Sequence, residues 1–324
     1  MTLLAATGDA VARIAEDGGT WRVEVALAPS GAQCLAVDPN DGGATVYAGS
    51  RGRGVWRSDD GGGNWRDLSL PASDVFSVAV SPADGAVYAG CEPSALYRSD
   101  DGGRSWRELA SLREIPSAPT WSFPPRPWTS HVRWIAPNPH DAGLLLVGIE
   151  LGGLMRSEDG GETWEDHRPG AQPDVHSLAW HLRERGRAYE AGGGGAAWSS
   201  DAGETWHPAD DGRDRNYCWA VAADPDDADR WFVSASPGPF NAHRAGRAEA
   251  YVYRWSGAGP WQALDGGLPQ PLASMPYALL IWDGRLFAGL SDGSLWASAD
   301  GGDSWQEQEF AGERLPAIVA LAAA

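Results

Sequence analysis

Arg51, Glu92, Arg133, Glu150, His176, Tyr217 and Trp219 together offer two guanidinium forks, two carboxylates, an imidazole, a phenol and an indole. Gathered in one place, such a set can bind a small polar or anionic ligand, with the forks on its charge and the rings on its apolar faces. Further candidates stand in proline-rich peptides: Arg126, Trp128 and His131 in WSFPPRPWTSHVR (121–133), His243 in SPGPFNAHRAGRAEAY (236–251), and Tyr277 closing LPQPLASMPY (268–277). His131, His176 and His243 could alternatively hold a cation, but no CxxC or HxxxH spacing announces a zinc site, and neither metal nor cofactor is expected. Cys34, Cys91 and Cys218 lie in or beside apolar segments and read as buried small hydrophobes in a reducing compartment.

The elements that must position these residues follow from a phrase written repeatedly along the chain. SDDGGGNW (58–65), SDDGGRSW (99–106), SEDGGETW (157–164), SSDAGETW (199–206) and SADGGDSW (298–305) are close copies, while EDGGTW (16–21) and RWSGAGPW (254–261) are worn ones. The tryptophans ending the seven copies, from Trp21 to Trp305, recur every 41 to 58 residues. A period in the forties with no helical pattern between copies is the length of one four-stranded propeller blade. The cleanest unit reads VFSVAV, AVYAG, ALYRS and WRELA, short β-branched and aromatic runs broken by turn residues. The phrase then falls between the third and fourth strands as a hairpin turn. Its aspartate resembles a calcium or catalytic carboxylate, but seven copies in one ring point to a brace on the turn instead.

The expectation is an all-β fold: a single seven-bladed β-propeller of four-stranded antiparallel blades, forming one unit over 1–324. Blade 1 is built from 1–27 plus 314–324, so that LPAIVALA supplies the inner strand the first unit lacks and closes the ring. In such a meander, loops joining the second and third strands emerge at the same end as those leading into the next blade. The long insertions at 111–131, 211–217, 235–249 and 265–277 all belong to that end. Function on a rigid scaffold is usually carried by such loops, so the site is placed at the central channel on this face, opposite the repeated phrase. Early inner-strand residues line its mouth: Gln33, Phe76, Arg133, His176 and Trp219, with Tyr217 and Tyr277 beside them.

The phrase S-x-D-x-G-x-T-W resembles the Asp-box, or BNR repeat, of sialidases, xyloglucanase-type glycosidases, sortilin-like receptors and a photosystem assembly factor of plants and cyanobacteria. That resemblance covers essentially the whole chain and implies the propeller fold; its relatives include enzymes, receptors and assembly factors. A sialidase-like enzyme would need arginines on a substrate carboxylate, a tyrosine nucleophile paired with glutamate, and an aspartate acid/base. The resemblance implies Arg51, Arg126, Arg133 and Arg215 for the first role, Tyr217 or Tyr277 with Glu150 for the second, and Asp174 or Asp214 for the third. Against it, the chain has seven units rather than six and only PPRPW where an early R-I-P motif is expected. Xyloglucanase-like enzymes commonly place their cleft between two propellers, whereas one ring is read here. The reading adopted is a ligand-binding or interaction propeller, with a sialidase-like glycoside hydrolase as the alternative.

The formal net charge of −19 argues against nucleic acid or an anionic membrane as partner, since both demand a basic footprint. No apolar run approaches the roughly 18 residues of a membrane helix. No basic-then-apolar leader opens the chain, so a cytoplasmic location is expected. A small molecule, a carbohydrate or a protein remains as the partner.

Overall fold

Seven antiparallel sheets follow one another around a ring in the computed structural model, which describes residues 2–324 apart from 125–128, 258 and 313. Blade 3 shows the pattern: Val75–Val80 is innermost, then Val87–Cys91, Ala95–Ser99 and a two-residue outer strand, Arg107–Glu108. Blades 2, 5, 6 and 7 repeat this order, with inner strands Ala32–Val37, Val175–Trp180, Tyr217–Ala223 and Pro276–Trp282. In blade 4 the inner strand is Val132–Pro137 and the outer strand shrinks to a single bridge between Arg156 and Glu165. Outer strands are thus shorter than the runs WRELA and WRDL suggest. Such stubs leave little unpaired backbone to recruit another chain.

Blade 1 takes its strands from both ends of the chain. Ala320–Ala323 pairs antiparallel with Thr2–Ala6, Leu3 opposite Ala323 and Ala6 opposite Ala320, and Val11–Asp17 and Thr20–Leu27 complete it. Phe310–Ala311 adds a short parallel strand outside.

The five close copies of the turn phrase fold the same way. In blade 3, Ser99 Oγ donates to Asp101 Oδ1 at 2.8 Å and accepts from the Gly103 amide at 2.8 Å. Asp101 also accepts from the Ser105 amide at 2.9 Å and the Ser105 hydroxyl at 2.7 Å. Ser157 with Asp159, Ser199 with Asp201 and Ser298 with Asp300 repeat the contact at 2.8 Å, and Ser58 with Asp60 at 2.7 Å. The hydrogen bonds from Ser105, first its hydroxyl and then its amide, hold the Asp101 carboxyl down at about 2, so it stays ionised at neutral pH. Gly103 sits at φ +87°, and a Cβ there would also strike Leu68 of the preceding blade. The closing tryptophans fill the wedges between blades: Trp206, Trp261 and Trp305 are buried with the apolar side chains of the blade before.

All the long excursions leave the end opposite these turns. They carry two 3₁₀ turns, Ala110–Glu114 and Ala118–Thr120, and one short helix, Pro239–Ala242. Among the described residues no helix is long and apolar enough to cross a membrane.

Candidate functional site

Six inner strands carry a β-bulge near their first residue, on the insertion-bearing side. In blade 3, Val75 pairs with Cys91 and Ser77 with Gly90, leaving Phe76 without a partner. The same skip leaves Gln33, Arg133, His176 and Tyr277 unpaired in blades 2, 4, 5 and 7. In blade 6, Trp219 and Ala220 together oppose Ser234. A bulge bends the strand and re-aims the extra side chain, here toward the channel. Glycine opposite the bulge makes room for the next blade: a Cβ on Gly90 would lie 2.5 Å from Val132 Cγ1. Neighbouring inner strands are then pinned by side chains reaching across. Gln33 donates to Val75 O at 2.8 Å, Ser77 to Val132 O at 2.8 Å, and Ser177 to Trp219 O at 2.8 Å.

These side chains open onto a cavity of about 420 Å³. Eight residues singled out from the sequence line it: Arg51, Glu92, His131, Arg133, Glu150, Trp219, His243 and Tyr277. Gln33 and Phe76 join them, as do Phe123, Gly8 and Val319, which the sequence reading passed over. Phe123 lay unremarked in the aromatic peptide that holds His131, and Val319 precedes the inner strand of blade 1. Tyr217 and His176 are buried behind the lining, the His176 ring 4.8 Å from Tyr217 and 4.5 Å from Trp219. Arg126 and Trp128 lie outside the described residues. Arg215 and Asp214 are not among the lining residues. They pair with each other, and Arg215 covers Tyr251 while Asp214 accepts from Tyr253.

One wall is charged. Glu150 accepts from His131 Nε2 at 2.6 Å and lies 3.5 Å from Arg133 Nε, and Glu92 stands 3.7 Å from His131 Nδ1. Burial would raise the Glu150 carboxyl, but the His131 hydrogen bond and the Arg133 charge outweigh it and hold it at about 2. The other wall is aromatic. His131 stacks on Phe76 at 4.0 Å with Phe123 edge-on at 5.2 Å, and the Arg133 guanidinium covers Trp219 at 4.7 Å. Arg51 lies over Phe76 at 5.5 Å and forms no ion pair among the described residues.

His243 bolts the 236–251 excursion to this wall. Tyr277 donates to Ala242 O at 3.2 Å, so it accepts from His243 Nδ1 at 2.9 Å, and Tyr217 donates to His243 Nε2 at 2.8 Å. Burial lowers the His243 imidazole, which agrees with the neutral ring this chain of bonds requires. The Tyr217 phenol is pushed far up by burial and by the Glu150 and Asp174 charges, the reverse of what a nucleophile needs.

The three histidines read as a possible cation site do not share one centre. His131 is held by Glu150, His243 by two phenols, and His176 Nδ1 by Cys218 O at 2.6 Å. The Cys218 carbonyl can only accept, so Nδ1 carries the proton.

No family model matches the chain, and neither does any curated protein. Among solved structures, the GH74 xyloglucanase from Xanthomonas campestris is similar over 98% of this chain at 17% identity, with a TM-score of 0.71. The chain spans 52% of that enzyme, about half its length. A GH74 enzyme from Niastella koreensis is similar over 98% of this chain and 66% of its own, at 13% identity and a TM-score of 0.63. YCF48 bound to D1 peptide is similar over 86% of this chain and 82% of its own, at 19% identity and a TM-score of 0.57. At such identities the likeness is one of fold.

Proposed function

We propose that this protein is a ligand-binding propeller whose site is the mouth of the central channel, on the face away from the turn phrases. The ligand is a small polar molecule carrying an anionic group. The observation that carries this reading is the row of inner-strand bulges, which brings Arg133, Phe76, Trp219 and Tyr277 to one cavity beneath the unpaired Arg51. Arg51 and Arg133 offer forked donors to a carboxylate or phosphate, and the rings provide stacking faces for a sugar or similar body. The solved neighbours include carbohydrate-active enzymes and a peptide-bound propeller, both consistent with ligands on this fold.

A second reading, hydrolysis of a glycoside, is favoured by one distance. Glu150 and Asp174 bring carboxylate oxygens to no more than 4.8 Å apart, a close carboxylate pair of the kind retaining glycosidases use. The two readings part in a simple experiment. A thermal-shift screen of sugar acids, phosphorylated sugars and neutral sugars should find stabilisation by acidic members, lost in Arg51→Gln and Arg133→Gln variants that melt like the wild type. Equal response to neutral and acidic compounds, or binding unaffected by both substitutions, would sink the anion-binding reading. Release of a leaving group from chromogenic glycosides, abolished by Glu150→Gln, would establish the second.

A further inference from the structure

Glu150 in the lining, with Asp174 and His176 behind it, places one donor atom of each residue within 4.8 Å of the others. His176 is fully buried, and its Nδ1 proton is committed to Cys218 O, so the Nε2 lone pair is fixed in direction. That Nε2 has no hydrogen-bond partner among the described residues and lies 3.4 Å from Asp174 Oδ2. A lone pair held against a carboxylate oxygen is repulsive unless something positive lies between. A carbonyl-anchored imidazole with its free nitrogen aimed at carboxylates is the outer-shell arrangement of metal-ligating histidines. The surroundings keep Asp174 in place. Leu151 N donates to its Oδ1 at 3.3 Å, and Gly193 passes so close that a Cβ there would collide with Oδ2. On Glu150, Oε2 is taken by His131 and Arg133, while Oε1 accepts no hydrogen bond among the described residues.

We infer that Glu150, Asp174 and His176 form a binding site for a divalent transition cation at the floor of the cavity. Bonds from such an ion to nitrogen and oxygen run about 2.0–2.2 Å, which sets two ligands of one ion about 3–4.4 Å apart. The His176–Asp174 separation of 3.4 Å fits that range. The wider limit closes with a few tenths of an ångström of side-chain movement. One imidazole and two carboxylates suit Mn²⁺, Fe²⁺ or Zn²⁺ better than Mg²⁺ or Ca²⁺, which prefer oxygen alone. Three protein donors leave coordination positions open, and Glu150 turns them toward the cavity. The site shares Glu150 with the proposed ligand cavity but stands without it, because the metal alone tests it.

The experiment titrates chelator-dialysed protein with MnCl₂ and reads free Mn²⁺ by its electron paramagnetic resonance signal. One equivalent should bind and be displaced by Zn²⁺ but not by equimolar Mg²⁺. Asp174→Asn, whose side chain is partly exposed, and His176→Gln should each weaken binding at least tenfold. Gly193→Ala, which displaces Asp174 without removing a ligand, should also weaken it and guards against a His176 variant that does not fold. Absence of stoichiometric Mn²⁺ binding would mean that a proton on His176 bridges the gap to Asp174, and would overturn the inference. So would binding that persists unchanged in folded Asp174→Asn and Gly193→Ala proteins. Loss of Mn²⁺ binding with retained anion binding through Arg51 separates this site from the proposed function.

Discussion

Glu150 and Glu190 show how environment sets the behaviour of one side-chain type. Both are buried, yet Glu150 is met by His131 and Arg133, while Glu190 meets a single amide, that of Gln172 at 2.9 Å. The second oxygen of Glu190 has no partner among the described residues, and burial pushes its carboxyl up to about 8. At neutral pH it is therefore largely protonated. A carboxyl raised on folding binds its proton more tightly in the native state. Its contribution is complete below the ordinary value near 4.5 and is lost as pH climbs to about 8. Glu190→Gln should keep the acceptor for the Gln172 amide and flatten the fall in melting temperature between those pH values, with the variant more stable at pH 8. Parallel melting profiles for the two proteins would contradict this. Nothing in AYEAG marks its glutamate as different from an exposed strand residue, because the distinction lies in what the neighbouring loop supplies.

Between blades, arginine supplies a contact that the repeated phrase hides. Arg57 donates to Gly102 O at 2.8 Å, Arg98 to Gly160 O at 3.5 Å, Arg156 to Ala202 O at 2.8 Å, and Arg254 to Gly301 O at 3.0 Å. Each acceptor belongs to the turn of the following blade, so the third strand of one unit is latched to the hairpin of the next. Arg156 goes furthest, reaching Glu165 at 2.8 Å and Glu158 at 2.6 Å as well, with its side chain 3% exposed. A lysine offers one point charge in place of that planar fork. Arg156→Lys should cost about 1–3 kcal/mol, read as a lower urea midpoint at unchanged m-value; an unmoved midpoint would dismiss the latch. The strands, the hairpins and the face bearing the excursions were legible because periodic tryptophans and turn residues act locally. The latches and the bulges were not, since each depends on what a neighbouring strand places opposite. Gln33, Phe76, Arg133, His176, Trp219 and Tyr277 could be placed near the mouth by register. That five of them are extra residues in their ladders, and that Trp219 shares a wider bulge, appears only from the pairing.

At the scale of the ring, closure and charge act together. The last strand pairs with the first and gives blade 1 its inner strand, and the acidic turn phrases occupy the end remote from the cavity. An overall charge of −19 surrounds a mouth that holds Arg51 and Arg133, so the proposed anion selectivity requires local forks rather than the long-range field. That same field favours arrival of a cation. Arg126 and Trp128, outside the described residues, stay part of the proposal only through their place in the peptide leading to His131. The most direct measurement is a crystal structure of the protein soaked with an acidic sugar that raises its melting temperature. The account expects density for the ligand in the channel mouth, its anionic group between Arg51 and Arg133 and its body against Trp219 or Phe76. Density at the turn-phrase end or along an outer blade edge, with the mouth holding solvent alone, would contradict it.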